Sequence, residues 1–161
     1  MRGFRVFLIA FIGAWLGLIL NASLAPRIAV VGIQPDFCLV LTGLLSVTAT
    51  RILTTSTSFA CAVGMGVLAG VNMFQLVITR VLAAFLGSSV SASLSAEPSP
   101  FSVAVFTAGQ TIFCQTVYFF IAPSGGFGRF LGDTIGGAAF NGLLVLPLFA
   151  LLRKILVPAR F

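Results

Sequence analysis

The sequence predicts an all-α integral membrane protein, a compact bundle of about six short transmembrane helices. The first observation is composition: 59% of the 161 residues are hydrophobic and only 7% are charged, whereas a soluble domain carries roughly 25% charged residues. The second is that the apolar runs are continuous rather than alternating, which favours helices over a transmembrane barrel. One span with its loop takes about 25–30 residues, so the length fits five or six helices in a single domain over residues 1–161.

The first helix is predicted over about Val6–Leu20, after a basic start. A basic start, an apolar run and the small-x-small sequence Ser23-Leu24-Ala25 also fit a signal peptide. The run is long for a signal peptide and the chain after it is equally apolar, so we predict a retained helix. Its Ala10-x-x-x-Ala14 pair would let another helix approach closely.

The second helix is predicted over about Pro35–Thr50. Pro35 in the first turn and the adjacent Asp36 at the positive end of the helix dipole both favour a helix start here. The helix is short, since about 17 residues is the lower limit for a span. Arg51 and the hydroxyl-rich run Thr54–Ser58 are predicted to form a tight polar connection.

The third and fourth helices are predicted over about Ser58–Gly70 and Asn72–Ser95, joined by the turn Gly70-Val71-Asn72. Glycine supplies a positive φ and asparagine caps the next helix. Each helix carries small residues spaced by four: Ser58, Ala62, Gly66 and Gly70 on the third, and Thr79, Ala83, Gly87, Ser91 and Ser95 on the fourth. Residues four apart share a helix face, so the two stripes predict a close antiparallel hairpin.

The last two helices are separated by proline and glycine. The fifth is predicted over about Phe101–Ala122, after the loop 97–100, which contains two prolines. The sixth is predicted over about Phe130–Lys154, after the turn 123–126. Pro147 lies inside it, lacks a backbone N–H, and is predicted to kink the helix.

Basic residues predict the orientation, with both termini in the cytoplasm. Given six spans and an internal N-terminus, the cytoplasmic side would hold Arg2, Arg5, Arg51, Arg153, Lys154 and Arg160, and the outer side Arg27 and Arg129. This asymmetry obeys the positive-inside rule. The net charge of +6 is then explained by orientation and membrane lipid. No basic cluster is interleaved with aromatics, so nucleic acid is not predicted as a partner.

No catalytic constellation is present in the sequence. The three acids, Asp36, Glu97 and Asp133, all lie at predicted helix ends or loops, and there is no histidine. Histidine is the commonest metal ligand and the usual general base at neutral pH. The three cysteines lie in apolar runs, where they are predicted to pack as small hydrophobes. We therefore predict no enzyme activity and no cofactor or metal.

Arg80 is the one charge inside a predicted span. An intramembrane arginine costs a few kcal/mol on insertion scales, so it normally faces protein or water. Arg80 lies about 12 Å along an ideal helix from Asn72. Two interpretations stay open: the side chain snorkels to the outer interface, or it contacts a partner or ligand. Polar span residues such as Asn141 are predicted to form hydrogen bonds between helices.

The pattern as a whole resembles the MreD family, small multispan proteins of the bacterial rod-shape machinery. The motifs that carry the resemblance are Pro35-Asp36, Gly64-x-Gly66-Val-Leu, Gly70-Val71-Asn72, Phe85-Leu86-Gly87, and the final helix with Asn141, Pro147 and Arg153. They cover nearly the whole chain in order. The family commonly has an acid shortly after its Gly-Leu-Leu run, where this chain has Ala69 or Gly70. The resemblance therefore implies nothing about a contact made by that acid.

What the resemblance implies is a non-enzymatic scaffold in the bacterial inner (cytoplasmic) membrane. Its expected partners are an MreC-like single-span protein, a RodA-type glycosyltransferase with its transpeptidase, and cytoplasmic MreB filaments. On this interpretation the candidate partner-contact or packing residues are Pro35, Asp36, Gly66, Gly70, Asn72, Arg80, Gly87, Asn141 and Pro147.

The main alternative is the substrate-binding subunit of an energy-coupling-factor vitamin transporter. Those proteins also have about six short helices, and an Ala-x-x-x-Ala face on the first helix docks their transmembrane coupling partner; Ala10 and Ala14 would match it. A vitamin pocket, however, needs convergent polar and aromatic groups, and this chain has one Trp and one Tyr. A channel would need a polar face along a whole span, and no predicted helix has one.

Overall fold

The computed structural model describes residues 2–70, 72–95, 97–123 and 126–156. These ranges form six helices: α1 (Arg2–Ser23), α2 (Phe37–Thr48), α3 (Arg51–Ala69), α4 (Met73–Ser93), α5 (Pro100–Ile121) and α6 (Phe127–Leu156). Within them the only strand-like feature is one isolated bridge between Val30 and Ile33, in the loop before α2. The predicted all-helical fold class is confirmed.

Five of the described helices, all except α2, are long and apolar enough to cross a membrane. This is the pattern of a multi-pass membrane protein. The 12 residues of α2 extend only about 18 Å at 1.5 Å per residue, against a hydrocarbon core of about 30 Å. The six predicted helices are thus present, but α2 is too short to span the membrane by itself.

The short helix α2 lies at the centre of the bundle. It packs against each of the other five helices, and ten of its twelve residues are buried. Leu44 and Leu45 form the middle of the main hydrophobic cluster with Val145 and Phe149 of α6. Because longer helices pack around α2, its polar N-terminal end lies inside protein and needs protein partners.

The polar connection predicted over Thr54–Ser58 is wrong, because this run is helical. Helix α3 begins at Arg51, with Thr50 as its N-cap. The hydroxyls of Thr54 and Thr57 donate to the backbone carbonyls four residues earlier, at 3.0 and 2.7 Å. Hydroxyl groups satisfied by their own helix do not interrupt it, so the link between α2 and α3 shortens to residues 49–50.

The ends of α2 and α6 also differ from the prediction. Helix α2 begins at Phe37, since Asp36 is the N-cap and Pro35 precedes it. Helix α6 starts earlier than predicted and continues through Pro147 to Leu156. The predicted turn 123–126 lies partly outside the described residues, and Arg160 lies wholly outside them.

The turn between α3 and α4 is formed as predicted at both of its described residues. Gly70 ends α3 in the left-handed conformation, with φ of 62°. Asn72 is the N-cap of α4, and its side-chain oxygen accepts a hydrogen bond from Phe74 N at 3.1 Å. Val71 lies outside the described residues.

The predicted α3–α4 hairpin is formed and packs closely. Ser58 Oγ of α3 donates to the Arg80 carbonyl of α4 at 2.9 Å. A Cβ added at Gly66 would lie 3.0 Å from Met73 Cβ, so this glycine lets the two helices meet near their turn.

The small-residue stripe of α4, however, does not face α3 as predicted. A Cβ at Gly87 would meet the side chain of Gln110 on α5. Ala83 packs with Leu39 of α2 and Cys114 of α5. At these two positions the stripe therefore faces α2 and α5.

Candidate functional site

The N-terminus of α2 is a buried polar centre built around Asp36. The Asp36 carboxylate caps its own helix by accepting from Leu39 N at 3.1 Å. The same oxygen accepts from Asn21 Nδ2 of α1, also at 3.1 Å. A carboxylate is well placed here, because the N-terminus of a helix is the positive end of its dipole.

Arg80 of α4 forms an ion pair with Asp36. Its Nη1 donates to Asp36 Oδ1 at 3.2 Å, and its Nη2 donates to Oδ2. Only 7% of the Arg80 side chain and 18% of the Asp36 side chain are exposed. The snorkelling interpretation of Arg80 is therefore wrong. The guanidinium is compensated inside the protein, in the two-pronged geometry that suits arginine and a carboxylate.

Two asparagines bind the first backbone N–H groups of α2, which have no acceptor within the helix. Asp36 N donates to Asn141 Oδ1 of α6 at 2.8 Å, and Phe37 N donates to Asn21 Oδ1 at 2.7 Å. Asn141 Nδ2 also donates to Thr111 Oγ1 of α5 at 3.1 Å. We call Asn21, Asp36, Arg80, Thr111 and Asn141 the polar cluster; it joins five of the six helices.

The polar cluster is arranged to hold helices together. The Asp36 carboxylate accepts four hydrogen bonds, from Asn21, Leu39 and the two terminal nitrogens of Arg80. A cavity of about 140 Å³ adjoins the ion pair and is also lined by Gln115 and Tyr118. It has room for a few water molecules, at about 30 Å³ each. The cluster thus matches the prediction of polar hydrogen bonds between helices.

A second feature lies on the outside of the bundle, between α4 and α5. This α4–α5 groove has a volume of about 360 Å³, and its lining includes Ala83, Gly87, Val90, Val105, Gly109 and Gln110. Gly109 is exposed, and a Cβ added there would have no atom of another helix within 4 Å. Gln110 is 4% exposed and donates to Ser46 Oγ of α2. Its Oε1 has no hydrogen-bond partner among the described residues.

Comparison with family models, curated proteins and solved structures found no significant match. The resemblance to the MreD family therefore rests on the motifs themselves. Two of those motifs, Pro35-Asp36 and the Asn141 helix, lie 105 residues apart yet meet in the polar cluster.

The predicted site residues fall in four places. Asp36, Arg80 and Asn141 come together in the polar cluster, with the buried Pro35 beside them. The α3–α4 turn and its packing contain Gly66, Gly70 and Asn72, and the α4–α5 groove contains Gly87. Pro147 is exposed on α6.

Neither the partner of Arg80 nor the role of Asn21 was predicted from the sequence. The partner of Arg80 could have been found by elimination among the three acidic residues of the chain. Asp133 lies near Arg129, with Nε and Oδ2 3.6 Å apart, as the spacing of four residues predicts. Glu97 lies in the loop at the opposite end of α4, which leaves Asp36 as the acid available to Arg80.

Proposed function

We propose that the protein is a non-enzymatic scaffold of the bacterial cell-wall elongation complex, in the inner membrane. The resemblance to the MreD family supports this role. The polar cluster supports it too, because its charges are compensated internally and serve to hold the bundle rigid. The observation that carries the proposal is the α4–α5 groove, which presents small residues among larger apolar ones on the outer surface of such a bundle.

The α4–α5 groove suits a single transmembrane helix. Helices in lipid associate through close packing and interhelical hydrogen bonds, so interfaces are rich in small residues. Gly109 leaves space for a second backbone to approach α5 closely. We assign this helix to the MreC-like single-span partner, which would link the scaffold to the RodA-type glycosyltransferase and its transpeptidase.

The basic residues support an orientation with both termini in the cytoplasm. The N-terminal end of α1 carries Arg5, the start of α3 carries Arg51, and the last turn of α6 carries Arg153 and Lys154. With each helix antiparallel to the one before it, these ends would share one side of the bundle. That side would meet anionic lipid and cytoplasmic MreB filaments.

The substitution Gly109→Phe tests the docking assignment. A phenylalanine fills the α4–α5 groove from an exposed position where an added Cβ contacts no other helix, so the folded yield should stay normal. Recovery of the single-span partner after purification in a gentle detergent should fall at least about tenfold. Quantitative mass spectrometry of the co-purifying proteins measures this loss, and the melting temperature checks the fold.

The matched control is Gly132→Phe on α6, another exposed helical glycine with no atom within 4 Å of an added Cβ. This variant should keep the partner. Loss of the partner in Gly132→Phe, with retention in Gly109→Phe, would show that the docking surface lies on α6. Recovery of two ATPases with a shared transmembrane coupling subunit, from the unaltered protein, would contradict the scaffold role itself.

The Ala10-x-x-x-Ala14 pair, which favoured the vitamin-transporter alternative, is buried in the bundle. Ala10 and Ala14 are 2% and 8% exposed and belong to the main hydrophobic cluster with residues of α2. They are therefore not a free docking face on α1, and no described contact favours a vitamin-binding subunit.

A further inference from the structure

A second cavity lies at the other end of α2, where α2 ends, α3 begins and α4 ends. It has a volume of about 280 Å³, and its lining includes Ser46, Thr50, Arg51, Ser88, Ser91 and Ser95. The described residues that line it supply hydroxyl groups and one cation, and none of them is a carboxylate. Glu97, which follows α4, does not line it.

Ser91 is the unusual hydroxyl in this cavity. Its neighbours Ser88, Ser89 and Ser93 each donate to the backbone carbonyl four residues earlier, at 2.8, 2.6 and 2.9 Å. Ser91 is 5% exposed, yet its hydroxyl makes no such bond within the part of the chain that the structure describes. Because Ser91 lines the cavity without such a bond, its hydroxyl is a donor available to an occupant.

The positive charge comes from the start of α3. Arg51 is the first residue of α3, is exposed, and lies over the ring of Phe85, with its guanidinium carbon 5.3 Å from the ring centroid. It forms no ion pair with any described residue. The first backbone N–H groups of a helix also lack intrahelical acceptors and add to the positive potential. Arg51, this helix start and Ser91 together form a site for an anion.

We propose that this cavity binds the phosphate-bearing headgroup of an anionic phospholipid. The Arg51 guanidinium and the Ser91 hydroxyl are the donors to the phosphate oxygens. The exposed apolar side chains of Ile52, next to Arg51 in the chain, and of Phe85, in contact with Arg51, offer a surface for the acyl chains. The volume lies just below the roughly 300 Å³ lower limit of pockets for drug-sized ligands, which suits a headgroup. This site is independent of the scaffold partners.

Native mass spectrometry of the purified protein in dodecyl maltoside tests the proposal. Phosphatidylglycerol or phosphatidylcholine is added at equal concentration, and the lipid-bound fraction is compared. Arg51→Gln should lower the apparent affinity for phosphatidylglycerol roughly tenfold, and Ser91→Ala about threefold to tenfold, because each removes a donor to a charged acceptor. Phosphatidylcholine should bind more weakly than phosphatidylglycerol to the unaltered protein.

Two matched controls should bind phosphatidylglycerol like the unaltered protein. Ser93→Ala removes an exposed hydroxyl that bonds within α4, and Arg129→Gln removes an exposed cation at the start of α6. Unchanged phosphatidylglycerol binding in both Arg51→Gln and Ser91→Ala would overturn the site. Equal binding of the two lipids would overturn its preference for anionic headgroups. A rise in melting temperature with inorganic phosphate alone, lost in Arg51→Gln, would identify a free anion and overturn the lipid assignment.

Discussion

Replacing Arg80 with methionine is expected to lower the free energy of unfolding by about 3–5 kcal/mol, the usual result of removing one partner from a buried ion pair. The variant leaves the Asp36 carboxylate enclosed at the start of α2 without its cation. Because Asp36 also caps α2, the loss should spread to the contacts that α1 and α6 make with this helix end. A melting curve in detergent, read by size-exclusion chromatography of a fluorescent fusion, measures the effect.

The double variant Arg80→Met with Asp36→Asn should recover much of the lost stability. Asparagine is a good N-cap, and replacing both members of a buried pair is far less costly than removing one. The matched control is Arg129→Met, because Arg129 belongs to an exposed pair with 81% of its side chain accessible, and exposed pairs contribute little. A normal melting curve for Arg80→Met, or a double variant no better than the single one, would contradict a buried Asp36–Arg80 pair.

The second large effect is expected at Gly43, a glycine of α2 that packs directly against Thr107 of α5. A Cβ added at Gly43 would lie 2.7 Å from Thr107 Cβ and 2.8 Å from Thr107 Cα, whereas carbon atoms in contact are about 3.5–4.0 Å apart. Gly43→Ala should therefore destabilise the protein by about 1–3 kcal/mol. This exceeds the gain of about 1 kcal/mol that alanine brings to a helix.

The control for Gly43→Ala is Gly109→Ala, on the α5 helix that Gly43 faces. An added Cβ at Gly109 meets no atom within 4 Å, so only the change in helix propensity remains and the melting temperature should stay the same or rise. If both variants raise the melting temperature equally, α2 and α5 are not in close contact at Gly43.

Composition and caps were enough to predict the fold class and most helix ends. The scarcity of charge required a membrane bundle, and Asn72 was predicted to cap α4, as it does. Thr54–Ser58 misled the prediction because hydroxyl groups look like a loop in sequence but bond to their own helix in an apolar setting. The local sequence does not indicate whether such a hydroxyl group will lie in a loop or bond to its own helix.

The central position of α2 was beyond sequence analysis. The apolar run of α2 differs little in composition from the runs of the neighbouring helices. Only its length, which is short for a membrane span, indicated a different position in the bundle. Which helix becomes buried depends on how all six pack, so the direction of the α4 stripe could not be predicted either. The ion pair was within reach, because a lone intramembrane arginine needs an acid and the chain has only three acids. Asn21 was not within reach, since an asparagine in a span has many potential partners.

The most direct test of the scaffold role is photo-crosslinking in native membranes from position 109. A photoreactive phenylalanine derivative replaces Gly109 in the α4–α5 groove or, as a control, Gly132 on α6. We expect position 109 to crosslink to a single-span membrane protein that mass spectrometry identifies as MreC-like, and position 132 to give little of this product. Crosslinks from position 109 to lipid alone, or to the coupling subunit of a vitamin transporter, would contradict the proposed scaffold.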